Sequence, residues 1–287
     1  MTGVAGWMRA ARRMGALALA LPMLGVAHAA YANKPTPWQL DFQQPATPVS
    51  QAIVSLHNEV LVIITLITLF VVGLLLFVIV RFNAKRHPVA AKTTHNAVLE
   101  VLWTVVPVLI LVLIAVPSFK LLYFEGHNAH AEMTIKITGH QWYWTYDYPD
   151  QGDLSFDSNM IPDEDALKAG KPRLLSVDNP LVVPVGTVIR VLVTGTDVIH
   201  SWFVPSFGVQ EYAVEGRLNE AWMSVNTPGT YYGQCNQICG INHPFMPIQV
   251  IAMAKDDFAK WLAQAQKDHA RNNDGASAVE LAAQAAH

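Results

Sequence analysis

Two long apolar runs constrain this chain more than any other feature. Residues 60–80 give 21 positions without a charge, and residues 101–119 give another 19. As a helix the first run reaches about 31 Å, matching the roughly 30 Å hydrocarbon core of a bilayer. Pro107 and Pro117 interrupt the second run, as prolines often do inside membranes. Between the runs, residues 81–99 carry Arg81, Lys85, Arg86 and Lys92 and no acid. Cationic loops stay on the cytoplasmic side, so both flanks of this pair face outward. The expected element is a transmembrane hairpin over 51–124, with the lipid bilayer as its solvent.

Ahead of the hairpin lie Arg9, Arg12 and Arg13, an apolar run over 14–26, and then Ala27, His28 and Ala29. Basic, apolar and small-residue segments in that order read as a secretory signal peptide over 1–30. Residues 31–50 hold prolines and little periodicity, which predicts an extended lead-in on the outer face.

The only two cysteines, Cys235 and Cys239, stand close to His243 and Met246, and His200 lies 35 residues upstream of Cys235. Two thiols, two imidazoles and a thioether are a soft donor set that suits copper better than calcium or magnesium. A mononuclear blue site uses one Cys, two His and usually a Met, so one thiol is left over. Two thiolates can instead bridge a pair of coppers. A disulfide or a copper-carrier motif remains the competing reading of the Cys pair by itself.

After residue 124 the texture changes from continuous apolar runs to short ones. Residues 133–138 and 247–253 alternate, and 181–185 and 188–194 are rich in Val and Ile, with Pro, Gly and Asn turn signals between them. Many short strands with such punctuation predict an all-β sandwich or barrel over 125–255. A cupredoxin-like Greek-key barrel fits, because it carries copper on the loop joining its last two strands. Residues 229–234 would lead into that loop and 247–253 out of it. The expected fold class is thus an α+β membrane protein, a two-helix hairpin followed by this barrel. A terminal amphipathic helix over 256–270 would present Phe258, Trp261 and Leu262 on one face, with a tail to residue 287.

The cysteine loop, the His-Ser-Trp segment at 200–202 and the aromatic stretch at 139–149 together resemble subunit II of the cytochrome c oxidases, in the haem–copper superfamily. The resemblance runs from about residue 40 to 263. It implies a dinuclear CuA centre on His200, Cys235, Cys239, His243, Met246 and the carbonyl of Gln237. It implies that Trp142 takes electrons from cytochrome c and passes them toward haems in subunit I. Subunit III, oxygen reduction to water and proton pumping belong to the implied assembly, with the oxygen chemistry on subunit I. Glu100, three residues before Trp103, matches the place where the family has an acid at the mouth of a proton path. The family usually has a Glu where Gln237 stands, its carboxylate holding a magnesium ion shared with subunit I. Tyr212 likewise replaces an acid, so the expected magnesium site is weakened. The implied location is the bacterial cell membrane with the copper domain in the periplasm.

Charge supports a basic partner. Residues 124–255 hold 14 Asp and Glu against 7 Lys and Arg, a net of −7 within a chain that is −3 overall. This balance argues against nucleic acid. Asp147, Asp150, Asp153, Asp157 and Asp178 are the expected docking patch for a lysine-rich cytochrome c. Three relatives in kind remain open. A quinol oxidase subunit lacks the copper donors, and a nitrous oxide reductase lacks the hairpin. A membrane-anchored copper carrier or thiol redox protein needs neither Met246 nor the aromatic stretch. No Cys-x-x-Cys-His occurs, so no covalent haem is expected.

Overall fold

Helix α1 (Pro48–Arg81) starts on a capping residue. Thr47 has extended backbone, its Oγ1 accepts from the Ser50 N–H at 3.1 Å, and Pro48 takes the first helical position. That arrangement satisfies an orphan donor and uses proline where its missing N–H costs nothing. Helix α2 (Ala97–Gly126) is opened by Asn96, whose Oδ1 accepts from Val98 at 3.1 Å and Leu99 at 3.2 Å. Both helices leave large apolar side chains exposed on every side, among them Leu66, Phe70, Leu109 and Leu113. Helices apolar all round need lipid or protein about them, so these two form the transmembrane hairpin. The computed structural model describes residues 33–89, 91–126, 130–152 and 154–268. The expected signal peptide, Asp153 and the tail beyond 268 lie outside the described residues.

Ten strands follow among the described residues: β1 (Met133–His140), β2 (Tyr143–Tyr148), β3 (Leu154–Ser158), β4 (Leu181–Pro184), β5 (Ile189–Gly195), β6 (His200–Val204), β7 (Val209–Ala213), β8 (Asn219–Met223), β9 (Gly229–Cys235) and β10 (Pro247–Met253). They make two five-stranded sheets, ordered β3-β2-β1-β5-β8 and β4-β10-β9-β6-β7. The pairs β1–β5 and β4–β10 are parallel and the rest antiparallel. Two parallel pairs among antiparallel ones require connections that cross between layers, which is the Greek-key, cupredoxin-like arrangement. A short helix α3 (Asp163–Lys168) sits in one such connection.

The core lies between the sheets. Ile135, Ile137, Trp144, Val191, Trp202 and Ile248 are fully buried, and each such side chain contributes about 1.5–3 kcal/mol by leaving water. Tyr148 of β2 ties one sheet to the other. Its hydroxyl donates to the Val182 carbonyl at 2.9 Å and accepts from the Val182 N–H at 3.0 Å. A last helix, α4 (residues 255–268), buries Phe258 and lays Trp261 against Tyr148 and Phe156 at 5.7 and 6.4 Å between ring centroids.

The lead-in is not simply extended. Gln43, Ala46, Thr47, Val49 and Ser50 are buried against the barrel, while Trp38 and Leu40 are exposed. Helix α1 accordingly begins three residues before the expected boundary at 51. The sequence has no periodic signal there because the contacts are irregular main-chain ones rather than a repeated apolar face.

Candidate metal centre

Strand order brings the donors together. His200 opens β6 and Cys235 closes β9, and β6 and β9 are neighbours with Trp202 opposite Cys235. The loop from Asn236 to Met246 then folds back, and the Cys235 N–H donates to the Met246 carbonyl at 3.0 Å. Cys235 Sγ lies 3.9 Å from His200 Nδ1 and 3.8 Å from Cys239 Sγ, and Cys239 Sγ lies 3.5 Å from His243 Nδ1. The Gln237 carbonyl oxygen is 3.3 Å from Cys235 Sγ. Both thiols are free and buried, and a disulfide would need its sulfurs at about 2.05 Å. Met246 is buried beside them. Two sulfurs facing each other across a gap, with an imidazole nitrogen at each, fit metal better than a covalent bridge.

His200 is fully buried and its orientation is fixed from behind. Its Nε2 is 2.8 Å from Asp197 Oδ1, so an Nε2–H aimed at the carboxylate leaves Nδ1 facing the sulfurs, a donor to a thiolate while it is protonated and a metal ligand once its proton is lost. Carboxylate–histidine pairs of this kind set the tautomer of metal-binding imidazoles. Asp197 also accepts from the N–H groups of Val198 at 2.6 Å and Gln141 at 2.7 Å. Burial alone would raise its carboxyl, but His200 and these N–H groups hold it below the usual range. Sequence reasoning missed Asp197. Its position three residues before His200 was the available signal.

The two thiols are unequal. Burial would push Cys235 up, yet hydrogen bonds with His200 and with main chain at Ser201 and Gln237 bring it down to about 6. Burial and then the neighbouring Cys235 charge push Cys239 up to about 12. One thiolate is therefore ready for metal, and the second loses its proton only when a cation arrives to offset the repulsion.

Trp142 reaches this cluster directly. Its indole N–H donates to the Cys239 carbonyl at 3.1 Å, and Gln141 Nε2 donates to the same oxygen at 2.9 Å. Gly240 has φ of +123°, and a Cβ there would lie 2.9 Å from the indole ring. Glycine is favoured there by the positive φ and by the closeness of the ring, which leaves no room for a Cβ. Trp142 is half-buried, with Tyr143 beside it stacked on His140 at 4.5 Å.

The acidic residues do not converge in the same way. Asp157 accepts from Thr145 Oγ1 at 2.7 Å, and Asp178 accepts from the Asn159 N–H at 2.7 Å. Since Trp144 pairs with Ser158, both lie toward the Trp142 end. Asp147 is held by Lys136 at 3.3 Å midway along the strand. Asp150 binds the Thr134 N–H at 2.6 Å, which is the opposite end of β1, about 20 Å from His140 at strand rise. Glu100 is exposed in the first turn of α2, and Gln237 is half-buried in the loop between the two cysteines.

Comparison with known proteins agrees with the fold. Residues 133–253 match the family described as cytochrome c oxidase subunit II, periplasmic domain, and residues 35–121 match its transmembrane domain. A probable cytochrome c oxidase subunit 2 of Rickettsia bellii is 50% identical over 83% of this chain and 88% of its own length. Cytochrome c oxidase subunit 2 of Arabidopsis thaliana is 47% identical over 79% of this chain and 89% of its own. The periplasmic domain of subunit II from Bradyrhizobium japonicum is 50% identical, covering 48% of this chain and 96% of that one, with a TM-score of 0.45. With its two-helix membrane hairpin and its buried His–Cys–Cys cluster, this chain belongs to the cytochrome c oxidase subunit II family.

Proposed function

We propose that this chain is the electron-accepting subunit of a proton-pumping cytochrome c oxidase, taking electrons from cytochrome c and delivering them to the haem and copper centres of subunit I. The observation that carries the reading is the hydrogen bond from Trp142 to the main-chain oxygen of Cys239, which joins a partly exposed indole to a metal-binding residue in one step. His200, Cys235, Cys239, His243, Met246 and the Gln237 carbonyl would hold two copper ions. Bound there, the copper pair would supply one-electron transfer chemistry, with Cys235 and Cys239 as its thiolate ligands.

The residues of this chain have separate tasks. Asp197 orients His200, and the apolar barrel keeps water from the sulfurs. Trp142 and Tyr143 give a flat aromatic surface on which a haem protein can seat. Asp157 and Asp178 supply the negative field nearest that surface, with Asp147 screened by Lys136 and Asp150 remote. Asp153 completes the set by sequence position. Glu100, on the cytoplasmic side of the hairpin, would admit protons to subunit I. Gln237 offers magnesium only a neutral amide oxygen, where the ion favours an anionic ligand. The setting is a bacterial cell membrane with the barrel in the periplasm, alongside subunits I and III.

Copper analysis and electron paramagnetic resonance of the purified full chain test this reading. Two coppers per chain with one electron spin shared between them are expected. A four-line pattern from a single isolated copper overturns the dinuclear assignment.

A further inference from the structure

The outer ends of both membrane helices are tied to the barrel, one to each sheet. At α1 the attachment is main chain and hydroxyl. The Ala46 N–H donates to the Ser206 carbonyl at 2.8 Å, and the Ala46 carbonyl accepts from the Asn226 N–H at 2.8 Å. Thr47 does two jobs with one hydroxyl, accepting from the Ser50 N–H as a helix cap and donating to the Phe207 carbonyl. Ser206 Oγ adds a bond to Gln43 at 2.8 Å. The first turn of α1 lies so close that a Cβ on Gly208, whose φ is +65°, would come within 2.9 Å of Ser50 Cα.

At α2 the attachment runs through Trp222. The Trp222 indole N–H, on edge strand β8, donates to the Phe124 carbonyl at 3.1 Å, and its ring meets Phe124 edge to face at 5.3 Å. Phe124 lies in the last turn of α2, where carbonyls have no partner inside the helix. Trp222 thus satisfies a helix end from outside the helix.

These ties sit at the end of the barrel opposite the copper donors. Trp222 is level with Arg190, and Arg190 with Thr134, at the start of β1. The 205–207 turn that holds Thr47 follows directly on β6, whose first residue is His200. Strand β6 is therefore a strut running from the α1 attachment to a copper ligand, about 16 Å long at strand rise. A tilt of about 5° at the ties would move a point about 20 Å along the barrel by nearly 2 Å. Displacements of that size are costly when two redox partners must be held at fixed separation.

We propose that Thr47 and Trp222 are positioning residues that clamp the two sheets to the two helix ends, fixing the height and tilt of the copper centre over its acceptor. The inference rests on the electron-relay reading above. Neither residue touches the donors, so the effect is on onward transfer and not on metal binding.

The experiment uses the assembled oxidase in membranes with the variants T47V, W222F, T47S and the double variant T47V/W222F. T47V keeps side-chain bulk and deletes the hydroxyl, W222F keeps an aromatic ring and deletes the indole N–H, and T47S retains the hydroxyl. The double variant is expected to keep the wild-type copper spectrum and its rate of reduction by cytochrome c. Flash-initiated transfer out of the copper centre is expected to fall roughly tenfold, with T47S near wild type. In oriented membranes the g-tensor tilt of the copper signal should broaden in the double variant. An unchanged onward rate and tilt overturns the clamp, as does a rate loss with no change in tilt. Should the double variant not assemble, the two single variants decide on the same readouts. Wild-type enzyme without a copper signal would defeat the relay reading instead, so the two failures are distinguishable.

Discussion

The candidate metal donors and the acidic residues come from the same domain, yet the fold treats them differently. His200, Cys235, Cys239 and His243 are drawn from β6, β9 and the loop before β10 into one cluster, with sulfur and nitrogen atoms 3.5–3.9 Å apart. The acids are spread along β2, β3 and their connections, and several of their carboxylates already hold backbone or side-chain partners. Coordination acts over a bond length and demands convergence. Steering acts through a field that reaches about 8 Å at physiological salt and tolerates dispersion. Positions in the first group should therefore fail all or none, and those in the second by degrees.

The largest effect should come from the thiols. Cys235→Ser or Cys239→Ser should abolish the shared-spin signal outright, and a signal merely shifted in either variant would contradict bridging by both sulfurs. Trp142→Ala comes next: turnover with cytochrome c should drop by roughly tenfold or more, with the copper spectrum retained. Wild-type turnover in that variant would remove Trp142 from the path.

Asp197→Asn tests support from behind the ligand. Losing the carboxylate that orients His200 should weaken copper affinity about ten- to hundredfold, the usual effect of such partners, as measured by competition with a chelator. The wild-type loading rate carries a pH signature. Cys235 is depressed to about 6, so its thiolate contact with His200 is complete above the ordinary thiol range. The contact is lost as pH falls through about 6. Copper uptake by the apo-protein should hold down to that value and fall below it, and uptake that climbs only near pH 9 would contradict the assignment.

Smaller effects should follow at the surface. Asp157→Asn with Asp178→Asn should slow association with cytochrome c several-fold, an effect that fades as salt rises. The pair Asp147→Asn and Asp150→Asn should change it less, because one is screened by Lys136 and the other is remote. Equal losses from the two pairs would argue for a diffuse domain field over a local patch. The smallest change is expected from Gln237→Glu, which should tighten binding of a manganese probe while leaving the copper spectrum alone. Unchanged probe affinity would place the magnesium ligands elsewhere.

Some of this was decided by the sequence alone. Two uncharged runs of membrane length admit a hairpin and little else, because unpaired backbone in lipid is too costly for other forms. The donor types specify soft-metal chemistry wherever they meet, and residues 247–253 read as a strand and form β10 with those bounds. Tertiary structure decided what depends on pairing between distant segments. Strand neighbours set that His200 faces Cys235 across 35 residues, and register set which acids lie near Trp142. Gly240 beneath the Trp142 ring and the ties from Thr47 and Trp222 were likewise invisible. Each is one hydrogen bond or one close approach, and a single contact leaves no period in a sequence.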